Sequence, residues 1–548
     1  MKNRLVLSNK NETIELAGDV PEKRDISLDP RSSLVHHILS KMQWSVAAGI
    51  FACCVAPTFI SYQSYVFRWD DADYLRRAIE VSRIVWSSHA RGTAHLREIV
   101  SAVHSFRLPT MALLGIPWGP LASWDAAGKC FLTLAILISL FAAVCIFLLA
   151  RIGVKPLVLT SASVCIFFSI GPIPSSSLTH HAAIAFMTDY LLAWISVTAL
   201  LLIPHEVRIG ASSICQSLLR GILWGLILSL GTITKISFLY FVVTIASALL
   251  ITEFFRLGRS NMLAALAGLT CSSIPVALYL VKYGGSALAN GETASFGSLA
   301  TYYETPFLEF VSESVHGSPG LMVFIIFTSI AAGYLAIRKR ISLRNPDFVA
   351  LLIVVGYSII VLASVSRLIR YSFPTILSLP LLFAVLLSEK AVPLPRKSAT
   401  LTAAFVFCVL ISASLPMRAK AQREASLGRA DAVLSRAIRC NDRSIILATD
   451  SPTLNSALLG LAASVTELGP GMRIDTIVNS AMDDVPIRED FRVMQNSDMI
   501  VFQNDDVLSP PFTNQRVAEY RSFMQSRSDY THVNIGNDLV AYLKHCGS

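Results

Sequence analysis

Apolar runs long enough to cross a bilayer recur along most of this chain. They fall near residues 44–66, 130–150, 154–172, 183–203, 214–233, 236–254, 262–281, 320–337, 348–366, 372–388 and 399–416. Each is close to the length, about 20 residues, that spans a hydrocarbon core of roughly 30 Å as a helix. The pattern predicts a polytopic α-helical membrane protein with about eleven transmembrane helices. An odd number places the two chain ends on opposite sides.

Between the first two runs the pattern changes. Tyr74, Ala78, Val81 and Val85 recur at helical spacing, which predicts an amphipathic helix with Arg76, Arg77, Glu80 and Arg83 mainly elsewhere on its surface. A second helical piece is expected at about Thr93–Ser105, and Pro109, Pro117 and Pro120 then break the chain. Such helices suit the interface plane of a membrane, and a solvated helical hairpin is the alternative. Loop 282–319 is rich in Gly, Ser, Ala and Thr and then presents Tyr302, Tyr303 and Glu304. Its composition reads as mobile, either a lid beside a site or a connector.

From about Arg418 the pattern is that of a soluble domain. Helices are expected over 419–439, 452–463 and 514–526, and strands over 444–449, 473–478 and 499–503. A closing hairpin pairs His532–Ile535 with Leu539–Leu543 across Gly536-Asn537-Asp538. The organisation is therefore a polar tail over 1–43, a membrane domain over 44–416 with loops 67–129 and 282–319 on one side, and an α/β domain over 417–548.

Composition agrees with the pattern. Of the 548 residues 53% are hydrophobic and only 15% charged, against about 25% charged in soluble proteins. The net charge of +9 then reads as topology and not as nucleic-acid binding. One set of short loops carries Arg151 and Lys155, Arg208, Arg256 and Arg259, Arg338 to Arg340, Arg344, and Lys390, Arg396 and Lys397. The opposite connections are poorer in cations. This predicts a cytoplasmic N-terminus and an extracytoplasmic C-terminal domain. Loop 67–129 is Arg-rich and runs against the rule, which weakens for loops of about 60 residues. No cleavable signal peptide is visible, since the first apolar run is long enough to span. Eight of the ten cysteines lie in apolar runs, where Cys is a small hydrophobe. Cys440 and Cys546 bracket the C-terminal domain; in an oxidising compartment they would close it as a disulfide, and otherwise they are free thiols.

That topology gathers charged residues on one membrane face. Asp70, Asp71 and Asp73 follow the first span; His180, His181 and Asp189 stand at the outer end of the fourth; Lys235 is the tip of the fifth–sixth hairpin; Arg367, Arg370 and Tyr371 join the ninth and tenth. Carboxylates with a Lys and Arg at a lipid–water boundary suit an anionic lipid phosphate. A carboxylate there can deprotonate or orient an acceptor. Each residue has a plainer role as well: the acids as helix caps, His180-His181 as a polar loop end, Arg370-Tyr371 as an interfacial anchor. Asp189 is the hardest to dismiss, because acids inside apolar runs are usually functional.

In these residues the chain resembles the GT-C superfamily of membrane glycosyltransferases, within it the branch of protein O-mannosyltransferases and the lipid A aminoarabinose transferase. Asp70-Asp71-Ala72-Asp73-Tyr74 is similar to the acidic pair, with Tyr four positions after its first member, that opens the first outer loop in that branch. Thr188-Asp189-Tyr190 resembles the acid starting its fourth span, Gly225-Leu226 with Thr234-Lys235 its hairpin, and Arg370-Tyr371-Ser372-Phe373-Pro374 its late Arg-Tyr-x-x-Pro. The second acid here is Asp71 where Glu is common.

The resemblance implies transfer of a monosaccharide from a polyprenyl-phosphate donor to a lipid, glycan or protein on the outer face of the bacterial inner membrane. Asp70 would lead catalysis with Asp71 and Asp189 supporting, and Lys235, Arg370 and Tyr371 would hold the donor phosphate, with Asp73 left as a helix cap. No cofactor is expected to be required and no metal is predicted, although clustered carboxylates could take a divalent ion. A transporter or flippase of lipid-linked sugars would show internal repeats and mid-membrane charges; no clear repeat is visible. An O-antigen ligase or polymerase would carry catalytic Arg and His in a large late loop, and loop 282–319 holds only Lys282 and His316 as basic residues.

Overall fold

The computed structural model describes residues 69–87, 92–103, 109–121, 124–152, 188–208, 213–295, 346–364, 373–388, 417–451, 453–466, 472–478, 480, 485–504, 515–536 and 538–546. The spans expected at 44–66, 154–172, 320–337 and 399–416 lie outside these residues. So do Tyr302, Tyr303, Glu304, His180, His181, Arg367, Arg370 and Tyr371.

The helical part comprises α1 (Trp69–Ser87), α2 (Thr93–Val103), α3 (Trp124–Ile152), α4 (Thr188–Arg208), α5 (Ile214–Thr234), α6 (Leu239–Leu257), α7 (Arg259–Ser295), α8 (Pro346–Ala363) and α9 (Phe373–Ser388). Four stretches are long and apolar enough to cross a membrane: Asp125–Leu149, Ile214–Thr234, Ile236–Leu257 and Arg259–Gly285. Helix α4 is the hub, packed by α3, α5, α6, α8 and α9. It is apolar on all sides, and Leu191 to Ile203 are buried throughout, as expected of a helix with no solvent-facing stripe. The surrounding helices turn large apolar residues outward, among them Leu140, Leu226, Val243, Phe255, Val281 and Ile359. Such a surface would be a liability in water and suits lipid.

Helices α5 and α7 approach closely through glycine. A Cβ on Gly221 would stand 2.0 Å from the Ala265 carbonyl oxygen, and one on Gly268 2.3 Å from that of Leu218. Small residues let backbones meet where no hydrophobic effect drives helices together.

Two expectations change. Helix α7 runs to Ser295, so loop 282–319 does not begin where the apolar run ends. Gly284 and Gly285 cost only about 1 kcal/mol each in a helix interior, and the Ala, Leu and Glu that follow carry it on. Helix α1 does not present a bare face to an interface. Ala72, Leu75, Ala78, Ile79 and Val81 are buried, covered by a one-turn helix at Thr110–Leu113 and by the helix Ser456–Val465 near the C-terminus.

That domain comprises α10 (Met417–Arg439), β1 (Ser444–Leu447), α11 (Ser456–Val465), β2 (Arg473–Thr476), α12 (Ile487–Gln495), β3 (Met499–Gln503), α13 (Val517–Gln525), β4 (Thr531–Gly536) and β5 (Leu539–Leu543). The sheet order is β2-β1-β3-β5-β4, with β1 parallel to β2 and β3, and β5 antiparallel to β3 and β4. Ile445, Leu447, Met499, Val501, Leu539 and Ala541 face α10 and α11. Ile446, Ile500, Phe502 and Tyr542 share the other core with Met494 of α12 and Tyr520 of α13. Asp538, at φ 63°, turns the β4–β5 hairpin. Helix α12 was not expected from the sequence. Of its nine residues only four are apolar, and one of these, Val493, faces solvent.

Candidate active site

Asp189 stands in the first turn of α4, where a carboxylate faces the positive end of the helix. It is 4% exposed. Its Oδ1 accepts a hydrogen bond from the Lys235 Nζ, and the two form an ion pair across 46 positions of sequence.

Lys235 is the single extended residue, φ −156° and ψ 135°, between α5 and the 3-10 turn Ile236–Phe238 that opens α6. Its own N–H still closes α5 on the Gly231 carbonyl at 3.0 Å. Phe238 then folds back over Gly231, where a Cβ would stand 2.3 Å from the ring. The tight reversal fixes the lysine stem at the hairpin tip. The Asp189 carboxyl is closed off, and the Lys235 side chain keeps 24% of its surface exposed.

The first loop reaches the same place. The Thr234 Oγ1 donates to the Leu230 carbonyl at 2.7 Å and lies 3.2 Å from the Thr110 Oγ1. Thr110 opens the one-turn helix that packs on α1. Immediately after it Gly115 abuts α1, since a Cβ there would stand 2.4 Å from the Ala78 carbonyl oxygen. A continuous set of contacts thus ties the Asp189–Lys235 pair to the helix that begins with the acidic stretch.

Asp70 and Asp71 occupy the first turn of α1; their side chains lie outside the described residues. Asp73 is not a helix cap, because α1 begins four residues earlier. It is 9% exposed and takes hydrogen bonds from Arg76 (2.9 Å) and Arg77 (3.1 Å), a local pair on one helix face. Among the described residues no three His, Cys, Asp or Glu side chains cluster as a metal site.

The C-terminal domain is clamped onto α1. The Arg83 guanidinium donates to the Leu121 and Ser464 carbonyls, and the Ser464 Oγ donates to Glu80 at 3.3 Å. Within the domain Cys440 and Cys546 form a disulfide, with Cα atoms 5.2 Å apart. Sequence reasoning missed Thr110 and Arg83. Neither belongs to a motif, and each works through a partner more than a hundred residues away or a backbone carbonyl.

No protein-family model matches the chain, and no curated protein matches it in sequence. Among solved structures it is similar to ArnT from Cupriavidus metallidurans. The apo crystal structure superposes with a TM-score of 0.49 at 13% identity, covering 94% of this chain and 98% of that one. The crystal structure bound to undecaprenyl phosphate superposes with a TM-score of 0.48 at 13% identity, covering 90% and 97%. At that identity and those scores the likeness assigns neither a family nor an activity.

Proposed function

We propose that the chain is a membrane glycosyltransferase that moves a monosaccharide from a polyprenyl-phosphate donor to a lipid, glycan or protein acceptor on the outer face of a bacterial inner membrane. The observation that carries this reading is the Asp189–Lys235 pair, a buried carboxylate holding an ammonium whose side chain is about a quarter exposed, at the end of the central helix. An ion pair in an apolar bundle is costly to keep. One whose cation keeps part of its side chain exposed stands where an anion can approach.

In this reading Lys235, with Arg370 and Tyr371, takes the donor phosphate. Asp70 accepts the proton of the acceptor hydroxyl as its oxygen attacks the anomeric carbon. The bond from that carbon to the phosphate oxygen breaks, and the polyprenyl phosphate leaves with its negative charge balanced by Lys235 and Arg370. Asp71 supports Asp70, and Asp189 fixes Lys235.

The test is transfer from a polyprenyl-phosphate sugar in membranes with Asp70→Asn, Asp189→Asn and Arg370→Ala. Loss of a positioned general base lowers turnover by about 10²–10⁴-fold, and that is the expectation for Asp70→Asn. Full activity in that variant overturns the assignment.

A further inference from the structure

In the C-terminal domain, β1 leads through α11 back to β2, while β3 leads on toward β4 and β5. The direction of the connections reverses between β1 and β3. In open α/β sheets, ligands bind in the crevice at the carboxyl ends of the strands flanking such a reversal.

The residues at that edge are polar and buried: Thr449 (8% exposed), Asp450 (7%) and Ser451 (2%) after β1, and Gln503 (4%) ending β3. The Gln503 backbone N–H donates to the Thr449 Oγ1 at 2.7 Å, which ties the two strand ends together. Its side-chain amide is different. Among the described residues neither Oε1 nor Nε2 has a hydrogen-bond partner. An enclosed amide left this way costs about 1–3 kcal/mol per group, which a sheet core would avoid with Leu or Met.

The pleat sets the direction of Gln503. Met499 and Val501 belong to the core under α10 and α11, so Gln503, two further on, points to that face. That face is the one docked on α1. Gly460 lies against Arg76, where a Cβ would stand 3.2 Å from its Cδ, and Ser464 meets Glu80 and Arg83. Numbering rises together along both helices. Four residues back, about 6 Å along each axis, Ser456 comes level with Ala72, one turn or less from Asp70 and Asp71. This edge of the sheet therefore lies toward the acidic turn of α1.

We infer that this crevice is a binding site for a neutral, hydroxyl-rich ligand, the saccharide portion of an acceptor, with the Gln503 amide donating to and accepting from one of its hydroxyls. An amide supplies both halves of the pairing a sugar hydroxyl needs. The basic residue at this edge, Arg521, is spent on the Gln503 carbonyl (2.6 Å) and the Asn504 Oδ1 (3.1 Å), which disfavours phosphate. The role of acceptor rests on the transferase reading; the binding does not.

The experiment uses the full chain in lipid nanodiscs, without donor, and saturation-transfer NMR with two soluble probes, maltose and chitobiose. Wild type gives a binding signal with at least one of them. Gln503→Met, which keeps volume and removes only partnerless polar atoms, raises the melting temperature and weakens binding about tenfold or more. An unchanged signal in Gln503→Met overturns the site, and so does silence from both probes with wild type. Displacement of the sugar by inorganic phosphate at equal concentration overturns the neutral-ligand assignment. Full transfer activity in Asp70→Asn would remove the transferase reading and leave this binding result standing.

Discussion

Helices α5 and α6 carry a buried carboxylate–cation pair at each end, and the two ends differ in who does the closing. At one end Glu253 of α6 is 2% exposed and takes a hydrogen bond from the Ser217 Oγ at 2.5 Å and an ion pair from Arg220 at 3.4 Å. Both partners stand on α5, three residues apart, so the carboxylate is shared along one helix face. At the other end Asp189 comes from a third helix, α4, and its partner Lys235 sits on a one-residue break with a quarter of its side chain exposed. The Glu253 cluster is shut and holds two helices together. In the Asp189 pair the acid is buried and the base is partly exposed.

Removing one partner of the closed cluster should have the largest effect. Arg220→Met leaves Glu253 buried with only Ser217, and unpairing a buried charge costs about 3–5 kcal/mol. The expected result is a large fall in melting temperature with transfer unchanged in the protein that remains folded. Arg220→Met with Glu253→Leu should recover the stability, because replacing both members by apolar groups is often neutral or better. If the double variant folds and loses transfer, the closed end is catalytic and the contrast fails.

The open end should answer the opposite way. Asp189→Asn with Lys235→Met also removes both charges, so the bundle should fold. The leaving phosphate then has lost a positioned cation, and removing one such group slows the chemical step about 10²–10³-fold, or roughly 3–4 kcal/mol. Single-turnover transfer with the donor in excess measures this directly. A folded double variant with wild-type turnover would make the pair a helix clamp like the one at Glu253.

The contrast between the two ends was half legible in the sequence. Asp189 and Lys235 stood out because charges inside apolar runs are few and each sat beside a span end. Glu253 and Arg220 did not: they fall inside the runs 214–233 and 236–254, near the ends where charged residues are ordinary, and no motif marks them. The apolar runs near α3 to α9 were readable from length and hydropathy alone. So were the strands that became β1, β2, β3, β4 and β5. That α1 already runs at Trp69 was not, since the acids at 70, 71 and 73 interrupt any apolar rhythm, and this is why Asp73 was expected as a cap. The docking of α11 on α1 was also hidden, because it depends on Gly460 and Ser464 meeting Arg76, Glu80 and Arg83 across some 380 positions, a relation that no local pattern records.

A third buried carboxylate extends the comparison to the case with no hydrogen-bond partner. Asp442 links α10 to β1, is 2% exposed, and among the described residues neither side-chain oxygen is hydrogen-bonded. Burial pushes its pKa up to about 6, Asp498 adds to the rise, and His545 and Arg436 oppose it. The folded state therefore binds this proton more tightly than the unfolded chain, whose value is 3.8. The stabilisation is complete below that value and is lost as pH rises to about 6. The size expected is about 1–2 kcal/mol, less than the full shift because neighbouring charges and solvent screen it. Asp442→Asn keeps the shape and removes the charge, so it should raise the melting temperature at neutral pH and flatten the profile across that window. Melting scans of the full chain in detergent from acid to neutral pH measure it. An unaltered slope in the variant would show that Asp442, like Asp189, finds a charge-balancing partner when it is ionised.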